Sequence, residues 1–471
     1  MRVLFISANR TEINMRTMPF GMACVAESAR RAGHEVRILD LMGAADASEG
    51  IRDTIAQWRP EAIGISLRNI DDQNMRSPQL FLAEANEIVE RVKSLSSAPI
   101  ILGGAGYSIF PEAILERSLA DMGIWGEGEK AFSLLLQRLE GRQSLAGVPG
   151  LFVRTRGVQG ERTFVTDLDE LPLPDADLLG AAAETSEARL RRKTPAALPV
   201  EGALSVDTPS GARLRGEAPQ ALPVEGALSP INSPTLPVQT RRGCPLGCAY
   251  CSTASIEGEA IRCRSPKEVV RWIAPWAERH VHQLYFVDNT FNLPAPYAKD
   301  LCRALAAAPF RVSWRAIVYP SPLEEDLAAL MAEAGCTEAS VGFESGCERI
   351  LEGMNKHFGL DDIRQTRDSL RRAGVKSMGF LLLGGPGETR DSVEESLAFA
   401  DSLDLESLKV TIGIRIYPHT PLAARAREEG MIAADDDLLY PRFYMAPGIE
   451  DWLRERMAEY AETRPNWIVD R

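Results

Sequence analysis

Three cysteines stand at C-x3-C-x2-C spacing in Arg241-Arg242-Gly243-Cys244-Pro245-Leu246-Gly247-Cys248-Ala249-Tyr250-Cys251. Cysteine thiolates are the usual ligands of iron–sulfur clusters, and three of them leave one iron of a four-iron cluster open to an outside chelator. Glycine and proline give the loop tight curvature, and an apolar, strand-like run at 235–240 leads into it. On the residues alone two other uses of the trio stay open. A structural zinc could take Cys263 as a fourth ligand, or the three could be small core residues. Against zinc, no second C-x-x-C knuckle is present; against a core, the trio lies in a Gly-Pro loop beside two arginines. The cysteines Cys263, Cys302, Cys336 and Cys347 fit no ligand spacing and are expected to be packing residues.

The elements that must position this loop can be read on either side of it. From 235 to about 425, strand-like and helix-like segments alternate and polar residues mark the strand ends. That is the pattern of a parallel βα barrel, whose chemistry gathers at the carboxyl ends of its strands. The second strand, 283–287, ends in Asp288-Asn289-Thr290-Phe291-Asn292, and the fourth, 339–343, in Glu344-Ser345-Gly346. The fifth, 377–383, ends in Gly384-Gly385-Pro386-Gly387-Glu388-Thr389, and the sixth, 409–416, in Tyr417-Pro418-His419-Thr420-Pro421. A strand-to-helix turn with an N-capping Thr would also account for 384–389, and a helix-capping carboxylate for Glu344.

Together with the cysteine loop, these strand ends resemble the radical S-adenosylmethionine (SAM) superfamily, and Tyr250 fills the aromatic slot before the third cysteine. The resemblance implies a partial (β/α)6 barrel and a 4Fe-4S cluster on Cys244, Cys248 and Cys251, with SAM chelating the open iron. It implies that Tyr250 lies at the SAM site and that Asp288 accepts a hydrogen bond from the SAM ammonium group. Glu344 and Ser345 are implied to contact its ribose and methionyl part.

Residues 1–142 alternate strands at 3–7, 35–39, 62–66, 99–102 and 122–125 with helices at 21–32, 79–92, 111–119 and 129–139. Right-handed crossovers make this an α/β, doubly wound parallel sheet of the Rossmann or flavodoxin-like kind, with ligands outside the carboxyl ends of its strands. Gly and polar residues collect there: Asn9 and Arg10, then Arg68 and Asn69, then Gly103-Gly104-Ala105-Gly106, then Gly126-Glu127-Gly128-Glu129. The set is similar to the cobalamin-binding domain found upstream of many radical SAM domains. That likeness implies cobalamin at Arg68, Asn69, Gly103, Gly104, Gly106, Gly126, Glu127 and Gly128, its nucleotide tail between sheet and helix. The Asp-x-His-x-x-Gly of the His-ligating branch is missing, so no protein imidazole is expected on the lower face of the cobalt. His34 is expected at the surface. Arg68 has two open readings: it lies near that lower face, or it binds a cofactor phosphate or a local carboxylate.

Between the domains, 143–234 reads as a linker, with a hairpin around 157–160 and a Pro/Ala-rich insertion at about 180–232. Within the insertion, Ala188-Arg-Leu-Arg191 recurs as Ala212-Arg-Leu-Arg215, 24 residues on, and 197–205 recurs with the same offset as 221–229. Two such copies cannot make a solenoid, and disorder is expected. Residues 426–471 read as a short, helical C-terminal extension with a helix at 451–460.

A hydrophobic fraction of 45% and a charged fraction of 25% are those of a soluble globular chain. A net charge of −13 with no Lys/Arg-rich run gives no support for a nucleic-acid partner, and no apolar run is long enough to span a bilayer. Eight cysteines, three of them clustered, fit a reducing cytoplasm rather than a disulfide framework.

The resemblance implies a cobalamin-dependent radical SAM enzyme, foremost a methyltransferase acting on an unactivated carbon of a small-molecule or natural-product substrate. An electron from an external donor such as flavodoxin or ferredoxin would cleave SAM to a 5′-deoxyadenosyl radical. The substrate radical it creates would take a methyl group from methylcobalamin. Two alternatives are a cyclase or rearrangement enzyme using the same cofactors, and a non-catalytic cobalamin or iron–sulfur sensor. A sensor would not need SAM-contacting residues.

Overall fold

The computed structural model describes residues 1–10, 18–42, 44, 46–179, 235–321 and 323–469. The repeat-bearing insertion expected at about 180–232 lies outside the described residues. The first sheet contains β1 (Arg2–Ser7), β2 (Glu35–Asp40), β3 (Ala62–Ser66), β4 (Ile100–Gly103), β5 (Met122–Ile124), β6 (Leu151–Val153) and β7 (Gly157–Val158). Its order is β2-β1-β3-β4-β5-β6-β7, parallel through β5 and antiparallel beyond. The order 2-1-3-4-5 is the flavodoxin-like one, with its switch point between β1 and β3. Val3, Leu4, Phe5 and Ile6 are all buried because helices cover both faces, which is why the strand reads as a continuous apolar run.

Three expectations need correction. The hairpin β6–β7 turns at 154–156, ahead of Gly157, and it extends the first sheet instead of lying in a free linker. A helix at Ala47–Trp58, capped by Asp46 accepting from Glu49 N at 3.0 Å, was not among the expected helices. His34 is buried, its Nδ1 3.2 Å from the N-terminal amine of Met1, where a surface residue was expected.

The second half supplies β8 (Leu236–Val238), the short antiparallel pair β9 (Arg241–Arg242) and β10 (Arg262–Cys263), then β11 (Gln283–Phe286) and β12 (Ser313–Val318). It continues with β13 (Cys336–Glu344), β14 (Lys376–Leu383), β15 (Ser407–Ile412), the antiparallel pair β16 (Ile414–Arg415) and β17 (Phe443–Tyr444), and β18 (Trp467–Val469). The order β18-β15-β14-β13-β12-β11-β8 is parallel throughout and leaves β8 and β18 as edges, so the barrel stays partial. The C-terminal stretch is more than a helical extension. After the helix Glu450–Thr463 it returns to the sheet as a seventh strand, anchored by buried Trp467.

The bridge between the sheets is also packed. Arg264 Nη1 donates to Leu168 O and Leu171 O at 2.6 and 2.7 Å, and Trp272 Nε1 to Pro174 O at 2.6 Å. Buried apolar residues of the first sheet, such as Val3 and Phe5, share one core cluster with Leu236 and Phe286 of the second and Trp276 of the helix Pro266–Glu278. The two sheets are thereby held with their loop-bearing ends in contact.

Candidate functional site

The cysteine loop is fixed at its start by Asp288, at the end of β11. The carboxylate, 1% exposed, accepts from Thr240 N at 2.7 Å, Thr240 Oγ1 at 2.6 Å and Arg241 N at 3.1 Å, and Arg241 Nε lies 3.3 Å away. Both oxygens are engaged by the chain, which gives Asp288 a loop-bending role. Gly243 then turns with φ +90, where a Cβ would collide with Ala260 O, so no other residue fits.

A segment that the sequence did not single out clamps the rest of the loop. Ala249 N donates to Met354 O at 3.0 Å, Asn355 Nδ2 to Gly247 O at 2.7 Å, and His357 Nε2 lies 3.0 Å from Leu246 O. Lys356, its side chain 5% exposed, donates to Tyr250 Oη at 2.9 Å and pairs with Glu344 Oε1 at 3.4 Å. Its ammonium lies 5.1 Å from the centroid of the Tyr250 ring. Burial alone would favour the neutral amine, but Glu344 and Tyr250 hold it protonated well above its ordinary range. Burial pushes the Cys244 and Cys248 thiols up, and Lys356 acts on both in the opposite direction. A spacing-based reading finds the cysteines but has no way to find partners about a hundred residues downstream.

The other strand ends divide. Glu344 takes a left-handed conformation, φ +64, at the register shift that ends β13, and its carboxylate turns toward Lys356. Ser345 is fully buried, its Oγ 3.1 Å from Ser396 Oγ and accepting from Cys347 N at 3.2 Å. Its hydroxyl faces the covering helix Arg390–Ser402. Glu388 Oε2 accepts from Gly384 N and, at 2.7 Å, from Gly385 N. Its buried Oε1 has no partner among the described residues, and burial pushes its carboxyl up to about 7.

All eight cysteines are free; Cys302, Cys336 and Cys347 are buried, and Cys263 is half-buried on β10 opposite Arg241. Among the described residues no three His, Cys, Asp or Glu side chains already converge as a metal site. What fits an iron–sulfur cluster is the donor set itself: three free thiols within eight residues of an arch pinned at both ends, beside a buried cation.

A cavity of about 490 Å³ opens where the two sheets meet. Arg68, Gly103, Gly104, Gly126, Glu127 and Gly128 line it, and none of the described lining residues is histidine. At Gly104, φ +97, a Cβ would come within 2.5 Å of Leu67 O, so only glycine lets the turn pack against the end of β3. This floor between sheet and helix fits the slender tail of a corrinoid. Asn69 and Gly106 do not line it. Gly106 packs on the backbone of 67–70, and Asn69 borders a separate crevice with Asn9 and Arg10.

The second sheet closes the cavity with Gln239, Arg242, Glu257 and Asn289. Glu257 accepts from Gly243 N at 3.2 Å and Asn289 Nδ2 at 2.8 Å, so one side chain touches both the cysteine loop and the cavity. Burial pushes its carboxyl up, and Arg242 opposes that. The Gly126–Glu129 turn is bolted to the same place: Arg242 pairs with Glu129 at 2.5 Å, and Arg262 with Glu127 at 2.5 Å, all four side chains buried. Further out, Asp71 from the loop after β3 pairs with Arg415 on β16 at 2.8 Å, and Gln73 Nε2 donates to Tyr417 Oη at 2.9 Å.

Residues 238–400 match the profile of the Radical SAM superfamily, and residues 6–136 that of the B12 binding domain. An uncharacterized methyltransferase of Pyrococcus horikoshii is 25% identical over 433 residues, covering 90% of this chain and 82% of its own. The tryptophan 2-C-methyltransferase of Streptomyces laurentii is 25% identical over 451 residues, covering 89% and 74%. Among solved structures, the radical SAM methyltransferase TsrM of Kitasatospora setae, with tryptophan and a SAM analogue bound, superposes with a TM-score of 0.77. It is 21% identical, and the match covers 98% of this chain and 88% of that one, a likeness of fold.

Proposed function

We propose that this chain, which belongs to the radical SAM superfamily and carries a B12 binding domain ahead of its radical SAM domain, is a methyltransferase acting on an unactivated carbon of a small molecule. One observation carries the reading: the cysteine loop and the cavity of the B12 binding domain share a wall, formed by Arg242 and Glu257. Two cofactors held there would address one substrate between them.

The bound cofactors supply a one-electron cleavage of SAM and a transferable methyl group; the protein orients and encloses them. Cys244, Cys248 and Cys251 are the cluster ligands in this reading. Asp288 shapes the turn that presents them, and Asn355 and His357 hold the arch from below. Tyr250 and Glu344, linked through Lys356, border the SAM side, and Ser345 supports that strand end from behind. Gly103, Gly104, Gly126, Gly128 and Arg68, which line the cavity, would hold the corrinoid. An external protein of the flavodoxin or ferredoxin class supplies the electron. The relatives named methyltransferases support methyl transfer over ring closure.

The test follows the methyl group. With SAM trideuterated at the methyl, the product gains three deuterons, the released 5′-deoxyadenosine carries none, and S-adenosylhomocysteine forms in comparable amount. A cyclase gives 5′-deoxyadenosine with neither S-adenosylhomocysteine nor a mass gain, and that outcome would overturn the proposal.

A further inference from the structure

Lys356 is a cation buried beneath the cysteine loop, with few groups to share its charge. Its ammonium lies 2.9 Å from Tyr250 Oη, 3.4 Å from Glu344 Oε1 and 5.1 and 5.9 Å from the ring centroids of Tyr250 and Phe358. The residues on either side of it, Asn355 and His357, grip the loop at Leu246 and Gly247, so the ammonium is held in place by the same segment. A clamp needs only the backbone and the two flanking side chains. A buried ammonium at its centre, which burial opposes, calls for a separate reason.

We infer that Lys356 and Glu344 form a charge pair that sets the reduction potential of the cluster carried by Cys244, Cys248 and Cys251, Lys356 raising it and Glu344 lowering it. The inference rests on the cluster reading of those cysteines. Reduction adds one electron, and so one negative charge, to the cluster. In a poorly screened site a nearby fixed cation stabilises that added charge, and a nearby anion opposes it. The two substitutions therefore move the potential in opposite directions, which loss of packing alone does not do.

The experiment is a redox titration of the reconstituted full chain without SAM, with a viologen-mediated dithionite titrant and the reduced cluster read by paramagnetic resonance. Iron and sulfide are counted in the same samples. Lys356→Met is expected to shift the midpoint to more negative potential, Glu344→Gln to more positive, and Lys356→Arg to leave it near the parent value. Asn355→Ala is expected to lower iron content while the clusters that do load keep the parent midpoint. Equal midpoints in the parent, Lys356→Met and Glu344→Gln at equal iron content would overturn the inference. If Lys356→Met loads no cluster, the Glu344→Gln shift alone decides it, an unchanged midpoint there being fatal. Absence of iron and sulfide from the parent would instead overturn the cluster reading itself.

Discussion

Asp288 accepts three hydrogen bonds from the two residues that open the cysteine loop, and an arginine guanidinium stands beside it. Replacing it by Asn sets an NH2 group against donors in a buried site and leaves Arg241 without its counter-charge. Breaking a buried pair of this kind costs about 3 kcal/mol. Asp288→Asn is therefore expected to lower the iron content of reconstituted protein well below the parent. Full iron content with a weakened affinity for SAM would restore the direct SAM contact. The same residue marks a boundary of legibility. The sequence shows an acidic residue at a strand end, but only the register of β8 beside β11 reveals that its oxygens point at Thr240 and Arg241. Ser345 repeats the lesson, since one step along the chain from Glu344 turns the side chain from the site to the covering helix.

At the scale of elements, the parallel strands were legible because burial on both faces writes them as short apolar runs between Gly-rich turns. The helix Ala47–Trp58 was not, although its buried Ala47, Gly50, Ile51 and Ile55 keep helical spacing, because only two of the four are large apolar residues. The clamp at 354–357 and the seventh strand are long-range facts: each depends on a partner far away in the chain. Strand β18 makes a testable case. Trp467 is buried against Tyr460, ring centroids 5.4 Å apart, and pairs beside Leu408 of β15. Trp467→Ala should destabilise the barrel side by about 3 kcal/mol, given the usual cost of truncating a buried aromatic. Urea unfolding followed by circular dichroism measures it. A change within about 0.5 kcal/mol, the range of a surface substitution, would mean the strand is dispensable.

At the scale of the whole molecule, two sheets with their carboxyl ends together make one chamber from two domains. Buried pairs between Glu127, Glu129, Arg242 and Arg262 lock the Gly-rich turn of the first domain to the entrance of the cysteine loop of the second. The division into two such domains was legible, because each carries its own βα rhythm and its own glycine-rich or cysteine-rich ends. Their shared wall was not, because Arg242 and Glu129 lie 113 residues apart and no local pattern links them. That wall is the basis for reading the two cofactors as partners in one reaction, and the most direct measurement asks whether they are. Reduced, cluster-loaded protein is incubated with SAM, with and without cobalamin, and S-adenosylhomocysteine is counted. The account predicts S-adenosylhomocysteine only when cobalamin is present. Formation at the same rate without cobalamin, or none with it, would contradict the account.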